Sequence, residues 1–388
     1  MLIEQLRLTN LLSFGATPIQ LELGKLNVVI GPNGSGKSNL LEAIDLLRNA
    51  PDELANTIRE GGGIRDWLWK GGKGIPVASL DVVLANPLGP TNLRYVLAFT
   101  EVAQRLHIVD ERIEGSEPDS GQTEPYKYYE FCRGAPKLFQ RDGRELLLPI
   151  TALNVDQTIL AQRRDPDNYP HLTYLAETLA KIQLYREWSF GRYAAARLPQ
   201  KADLPNNALE PDASNLGLVL NRLRRDPAVK ARVLSALKAL YEGVDDYDVQ
   251  IEGGTVQVFL HEGGAAIPAT RLSDGTLRYL SLLAILCHPN PPPLVCIEEP
   301  ELGLHPDVLP TLGALMREAS ENCQLVVTTH SDVLVDAMTD TPEAVLICEK
   351  HDGATKFQRL SAADLKPWLE RYRLGELWTR GEIGGTRW

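Results

Sequence analysis

Residues 31 to 38 read Gly-Pro-Asn-Gly-Ser-Gly-Lys-Ser, a complete G-x-x-x-x-G-K-[ST] loop. Such a loop works only between a strand and a helix, so it constrains the fold more than any other stretch. Lys25-Leu-Asn-Val-Val-Ile30 ahead of it is apolar and β-branched, and predicts a buried strand. Behind it, Leu40, Leu41, Ile44 and Leu47 recur at helical spacing over Ser38 to Arg48 and predict an amphipathic helix. Glycines in the loop let backbone N–H groups face phosphates, and the helix N-terminus adds positive potential. Lys37 would reach β- and γ-phosphates, and the Ser38 hydroxyl would ligate Mg²⁺. A glycine turn of merely similar spelling has no reason to carry both flanks.

The 388 residues leave room for two or three domains of about 150 residues each. A net charge of −11 excludes a uniformly basic, nucleic-acid-coating surface, though not a local basic groove. The five cysteines, Cys132, Cys287, Cys296, Cys323 and Cys348, are scattered, odd in number and lack a C-x-x-C pair. That argues against a zinc site or disulfide framework and for a reducing cytoplasm. No apolar run is long enough to span a bilayer and the N-terminus lacks a signal-peptide layout, so the expectation is a cytoplasmic protein with no membrane partner.

Four regions follow along the chain. Residues 1–150 read as an N-terminal lobe: two strands within Met1 to Leu23, the phosphate loop and its helix, a mobile Gly-rich loop anchored by Trp67 and Trp69, and strands over Val77 to Leu84 and Leu93 to Val109. Asp110 to Pro125 reads as a disordered hairpin tip, and Tyr126 to Leu148 as further short strands. Residues 151–245 change to helical periodicity, at Leu172 to Tyr185, Leu216 to Arg225 and Val229 to Leu240, with a Pro-rich connector over Leu198 to Asp212. This is a helical insertion without heptads, hence no long coiled coil. Residues 246–350 return to strands around Gly253-Gly254 and then alternate strands and helices. Residues 351–388 form a tail. The fold class is α/β: a mixed sheet flanked by helices, with an antiparallel β subdomain.

Leu272-Ser-Asp-Gly-Thr276 opens a helical stretch through Tyr279, Leu280, Leu283 and Leu286. Ser273 and Gly275 there suit an anion at a helix N-terminus, although Ser273 is equally an ordinary N-cap. Just downstream, the apolar Leu294-Val-Cys-Ile297 runs into Glu298-Glu299-Pro300-Glu301, and Leu325-Val-Val-Thr-Thr329 runs into His330-Ser331. Carboxylates and an imidazole at the C-terminal ends of such strands face the nucleotide in a P-loop fold.

The order of phosphate loop, L-S-D-G signature, acidic strand, Leu302-Gly-Leu-His-Pro306 and Thr-His-Ser resembles the ATP-binding-cassette (ABC) ATPases, in their SMC/RecF-like branch. Leu6-Arg-Leu-Thr-Asn10 and Ser13-Phe14 look like that branch's N-terminal signature. Tyr185-Arg-Glu-Trp-Ser-Phe190, Asn215-Leu216 and the tail Leu374-Gly-Glu-Leu-Trp378 through Trp388 are similar to the compact AAA-type ATPases of prokaryotic antiviral defence, the overcoming-lysogenization-like group. The resemblance implies a P-loop NTPase of ABC type that hydrolyses ATP with Mg²⁺. It implies a cofactor-binding set of Gly31, Pro32, Asn33, Gly34, Ser35, Gly36, Lys37, Ser38 and Asn39, joined by Ser273 and Gly275 from the opposite subunit. Glu299 would be the general base, His330 the switch histidine, Lys37 the phosphate-binding lysine, and Ser38 and Glu298 the metal ligands, Glu298 standing where Asp is usual. Asp307 would lie on a loop crossing the dimer interface. No segment is assigned as a glutamine loop. A head-to-tail homodimer around two ATP molecules follows, with higher order open.

The first functional expectation is a regulatory switch ATPase of a defence or DNA-surveillance complex, with a separate nuclease-like effector. Asp332, Asp336 and Asp340 read as a polar helix face rather than a nuclease metal cluster. The alternative is a RecF-like clamp binding DNA through Arg222, Arg224, Arg225, Lys230 and Arg232, joined by Arg186, Arg192 and Arg197, against the plain reading of a helix face balanced by acids. A transporter ATPase is disfavoured by the β-rich, acidic stretch after Val77. Trp378 and Trp388 are either a partner anchor or part of the chain's own core.

Overall fold

The computed structural model describes every residue except 119, 133–135, 141–143, 150, 152, 187 and 386–388. In chain order the first elements are β1 (Ile3–Thr9), β2 (Ile19–Glu22), β3 (Leu26–Ile30), α1 (Lys37–Asn49), α2 (Leu54–Glu60), α3 (Ile64–Trp67), β4 (Ala78–Leu84), β5 (Leu93–Val102) and β6 (Arg105–Gly115). Then come β7 (Lys127–Cys132), β8 (Lys137–Phe139), β9 (Glu145–Leu147), α4 (Ile159–Gln162), α5 (Pro170–Leu179), β10 (Gln183–Tyr185), β11 (Gln200–Lys201), α6 (Leu216–Leu223) and α7 (Pro227–Leu240). The remainder is β12 (Val244–Glu252), β13 (Thr255–Glu262), β14 (Ala265–Pro268), α8 (Asp274–Leu286), β15 (Leu294–Glu298), α9 (Leu309–Ser320), β16 (Gln324–Thr328), α10 (Asp332–Asp336), β17 (Val345–His351), β18 (Ala354–Arg359), α11 (Ala362–Leu369) and α12 (Leu374–Thr379). Among the described residues there is no long coiled-coil helix, and none long and apolar enough to cross a membrane.

The chain divides into two compact units. The first holds Met1–Gly24, Gly31–Ile182 and Ile347–Gln358; the second holds Lys25–Ile30, Gln183–Leu346 and Arg359–Trp388. In the first unit, an eight-stranded antiparallel sheet runs β2-β1-β4-β5-β6-β7-β8-β9. β4 alternates as a half-buried strand does: it buries Ala78, Leu80, Val82 and Leu84 and leaves the residues between them half-exposed. In α1, Leu40, Leu41, Ile44 and Leu47 are fully buried, as their spacing predicts.

In the second unit β10, β15, β16 and β3 pair in parallel. All residues of β3 and β16 are buried, the pattern of strands covered on both faces. Asn27, fully buried on β3, is satisfied by the Leu325 carbonyl and the Arg359 guanidinium. A smaller antiparallel group runs β11-β13-β12, with β14 on β13.

Several expectations shift. Residues 151–245 are not helical throughout: Gln183–Tyr185 belongs to the parallel sheet as β10, although it prolongs the apolar spacing of α5. The units break near Ile182, inside the stretch read as one insertion. Asp110 to Gly115 is the end of β6 rather than a loop tip, because Ile113 packs inward while the acidic neighbours pair; Asp119 lies outside the described residues. Between Arg59 and Gly74 the chain forms α3, with Trp67 buried and its Nε1 donating to the Ile58 carbonyl. Trp378 is buried in its own unit, where its Nε1 donates to the Gly385 carbonyl at 2.6 Å, and the Gly375 N–H donates to Asp336. Trp388 lies outside the described residues. The cysteines are free and four are buried; burial pushes the thiols of Cys287, Cys323 and Cys348 up to about 11, so they are inert core residues.

Candidate nucleotide site

In the first unit the loop Gly31 to Ser38 is shaped by three positive-φ glycines, Gly31, Gly34 and Gly36. Gly36, at φ +116°, ends the loop just before α1, and a Cβ there would lie 2.2 Å from Thr355 Oγ1. That crowding, with the conformation itself, requires glycine. Lys37 is 6% exposed, and its ammonium donates to the carbonyls of Gly31 (2.8 Å) and Pro32 (3.1 Å). Pro32 is half-buried, Ser35 buried, and Asn33, Gly34 and Ser38 exposed. Asn39 donates to Ser13 Oγ at 2.6 Å; Thr355 Oγ1 donates to the Ser35 carbonyl (2.6 Å) and accepts from the Ser13 hydroxyl (2.7 Å). Phe14, fully buried, stacks on Phe357. Ser13-Phe14 thus braces the loop from the N-terminal strands, and Thr355 is a brace the sequence did not advertise.

In the second unit the strand ends carry the acids. Glu298 closes β15, and Arg186 Nε, just beyond the end of β10, donates to its Oε2 at 2.9 Å. Glu299 stands at φ +46°, a left-handed backbone that costs a non-glycine residue about 1–3 kcal/mol and recurs at active sites. Its N–H donates to the Thr328 carbonyl at 3.0 Å, and its Oε1 lies 3.5 Å from His330 Nε2. Glu301, to which no role is assigned from the sequence, organises this end. Its Oε1 accepts from the His330 N–H and the Thr329 hydroxyl, both at 2.7 Å, and burial raises its pKa. The fourth position of Glu-Glu-Pro-Glu was the available signal. Ser273 caps α8 by accepting the Thr276 N–H at 3.0 Å. A Cβ on Gly275 would lie 2.7 Å from the Gly303 carbonyl, so the signature turn abuts the turn after Glu301. Asp307 is exposed, beside His305.

Magnesium ions take oxygen ligands, commonly one or two from protein and the rest from phosphate and water. Each unit offers an oxygen donor of that kind: the Ser38 hydroxyl in the first is exposed, and the Glu298 carboxylate in the second is half-buried. Among the described residues no cluster of three or more His, Cys, Asp or Glu forms a cage, and Asp332 and Asp336 are polar positions of α10.

The family model described as "AAA domain, putative AbiEii toxin, Type IV TA system" matches residues 26–336. The chain belongs to that family. This AAA-family protein is also similar to the SmcHead solved bound to the C-winged helix domain of ScpA: 16% identity, TM-score 0.57, over 93% of this chain and 99% of that one. It is similar to the Smc head domain with an extended coiled coil, derived from Pyrococcus furiosus, solved bound to the C-terminal domain of ScpA: 15% identity, TM-score 0.57, over 95% and 98%. At such identities the likeness establishes the fold, that of an SMC-head-like P-loop ATPase. No curated protein matches.

The basic residues that could face DNA are largely balanced by acids. Arg224 pairs with Asp248, Lys230 with Asp246 at 2.7 Å, and Arg232 with Glu318 at 2.8 Å. Arg197 is buried, which removes it from any DNA-facing set.

Proposed function

We propose that this AAA-family ATPase is a Mg²⁺-dependent dimeric switch, the regulatory subunit of a defence or DNA-surveillance complex whose effector is a separate, nuclease-like protein. The Glu299–His330 pair carries the reading: a strained strand-end carboxylate beside an imidazole, adjoining a carboxylate on the same strand. Gly31 to Asn39 holds the ATP phosphates, with Lys37 leaving the loop carbonyls for them. Glu299 accepts a proton from water as its oxygen bonds to the γ-phosphorus and the bond to ADP breaks. His330 holds the γ-phosphate. Ser38 and Glu298 hold Mg²⁺, which when bound offsets phosphate charge. Ser273 and Gly275 of one copy meet the ATP of the other, so hydrolysis loosens the homodimer.

The family's description as a putative toxin of a toxin–antitoxin system accords with a defence setting, and the two SMC heads were solved with a protein partner, ScpA. The acid-paired helix faces favour a protein effector over a DNA clamp. The test is capture of tagged Glu299→Gln from its native cells with ATP and Mg²⁺. A stoichiometric second protein supports the reading; DNA recovered without one overturns it in favour of the clamp.

A further inference from the structure

In the second unit, the described residues of one stretch, Arg186 and Trp188 to Arg197, are bonded to both elements that the proposed function uses there. At its start Arg186 donates to Glu298. In its middle Trp188 meets Tyr185 and Phe190 edge-on, each at 5.7 Å between centroids. The guanidinium of Arg278, on α8, lies 5.5 Å from the centre of the Trp188 ring. At its end Arg197, 8% exposed, spreads its guanidinium over the turn into α8. Nε and Nη2 donate to the Phe190 carbonyl, at 3.3 and 3.0 Å, and Nη2 also donates to the Asp274 carboxylate. Nη1 reaches the carbonyls of Ala269 (3.4 Å), Thr270 (3.5 Å) and Leu272.

A guanidinium is a rigid planar fork of five donors, always charged, and burying it is costly unless its donors are met. Here they are met by the Phe190 carbonyl of its own segment, by the carbonyls of Ala269, Thr270 and Leu272 at the turn into α8, and by the Asp274 carboxylate. Lysine, a single point charge, cannot span them together. The bonds therefore fix the backbone from Ala269 to Asp274, while Ser273 and the Asp274 side chain remain exposed at the start of α8. The same stretch, through Arg186, fixes Glu298.

We propose that Arg197 is a positioning residue that presents the Ser273–Gly275 turn, and that the described residues Arg186 and Trp188 to Arg197 together set this turn and the Glu298 carboxylate as a strap. The proposal rests on the role given to Ser273 and Gly275 above. It predicts that loosening Arg197 weakens pairing of two copies and leaves ATP binding by Lys37 and its loop intact.

The experiment compares wild type, Arg197→Lys and Arg197→Ala by hydrogen exchange without nucleotide, by binding of a fluorescent ATP analogue, and by ATP-dependent self-association in sedimentation. In Arg197→Lys, exchange at Thr276 and Leu277 should rise about 10-fold with β15 and β16 unchanged, and self-association should weaken about 10-fold at unchanged ATP affinity. If Arg197→Ala does not fold, the lysine variant decides. Wild-type exchange and self-association in Arg197→Lys would overturn the proposal, as would acceleration spread evenly over the second unit. A wild type that neither binds ATP nor self-associates would overturn the proposed function instead, and local exchange would then decide the strap alone.

Discussion

The phosphate loop and the carboxylate end of β15 are built in opposite ways. The loop is a run of consecutive residues shaped by glycine backbone and braced by short side chains, Ser13, Asn39 and Thr355, with Lys37 on two carbonyls. The carboxylate end gathers residues from Arg186 to His330, and carboxylates organise it: Glu298 with Arg186, Glu299 beside His330, Glu301 beneath both His330 and Thr329. A site held by backbone is spelled in a short motif. One held by side chains from distant segments is spelled only in part.

The comparison breaks most directly at Lys37. Lys37→Ala should lower ATP affinity about 100-fold, through loss of charged hydrogen bonds to phosphate, with the melting temperature little changed. Calorimetric titration checks it, and near-normal affinity would separate the loop from ATP. Gly36→Ala comes next. Its Cβ meets Thr355 Oγ1 in a positive-φ backbone, so about 1–3 kcal/mol of strain should cost about 10-fold in ATP affinity. Thr355→Ser, which removes only the methyl, should leave affinity near wild type.

The carboxylate end should respond through rate instead. Glu301→Ala strands the His330 N–H and the Thr329 hydroxyl, and should lower kcat about fivefold at unchanged ATP affinity. Glu301→Gln keeps an acceptor there and should restore most of the loss. Equal loss in both variants would mean that charge, not bonding, is what Glu301 supplies.

The smallest effect at the site is expected from Glu111, a control in the first unit's sheet. It is fully buried, accepts from Tyr95 Oη (2.9 Å) and the Ile159 N–H (2.9 Å), and burial raises its pKa from 4.5 to about 8. A carboxyl raised in the folded state contributes stability that is fully present below its unfolded value and lost as pH rises through about 8. Wild-type stability should fall by about 1 kcal/mol per pH unit between pH 6 and 7.5. Glu111→Gln should flatten that slope in urea titrations without altering ATP affinity.

Sequence made the α/β order, the loop, α1 and the strand-end acids legible because each rests on local periodicity or a contiguous motif. It missed β10, whose three residues continue the apolar spacing of α5 and are claimed by the sheet only through pairing with β15. It offered Arg186 and Arg197 to DNA, because a basic residue reads as surface until its partners are known; Glu298 and the carbonyls around Leu272 lie far along the chain. Sequence alone leaves Trp378 as either a partner anchor or core, and its burial beside α10 depends on Gly375, where a Cβ would meet the Asp332 carbonyl at 2.2 Å.

The central claim is that Glu299 performs the hydrolysis for which the loop holds ATP. Single-turnover hydrolysis and ATP binding of Glu299→Gln test it together. The account predicts wild-type ATP affinity with hydrolysis slowed about 100-fold or more, the usual scale for a lost general base. Hydrolysis at the wild-type rate by Glu299→Gln would contradict it.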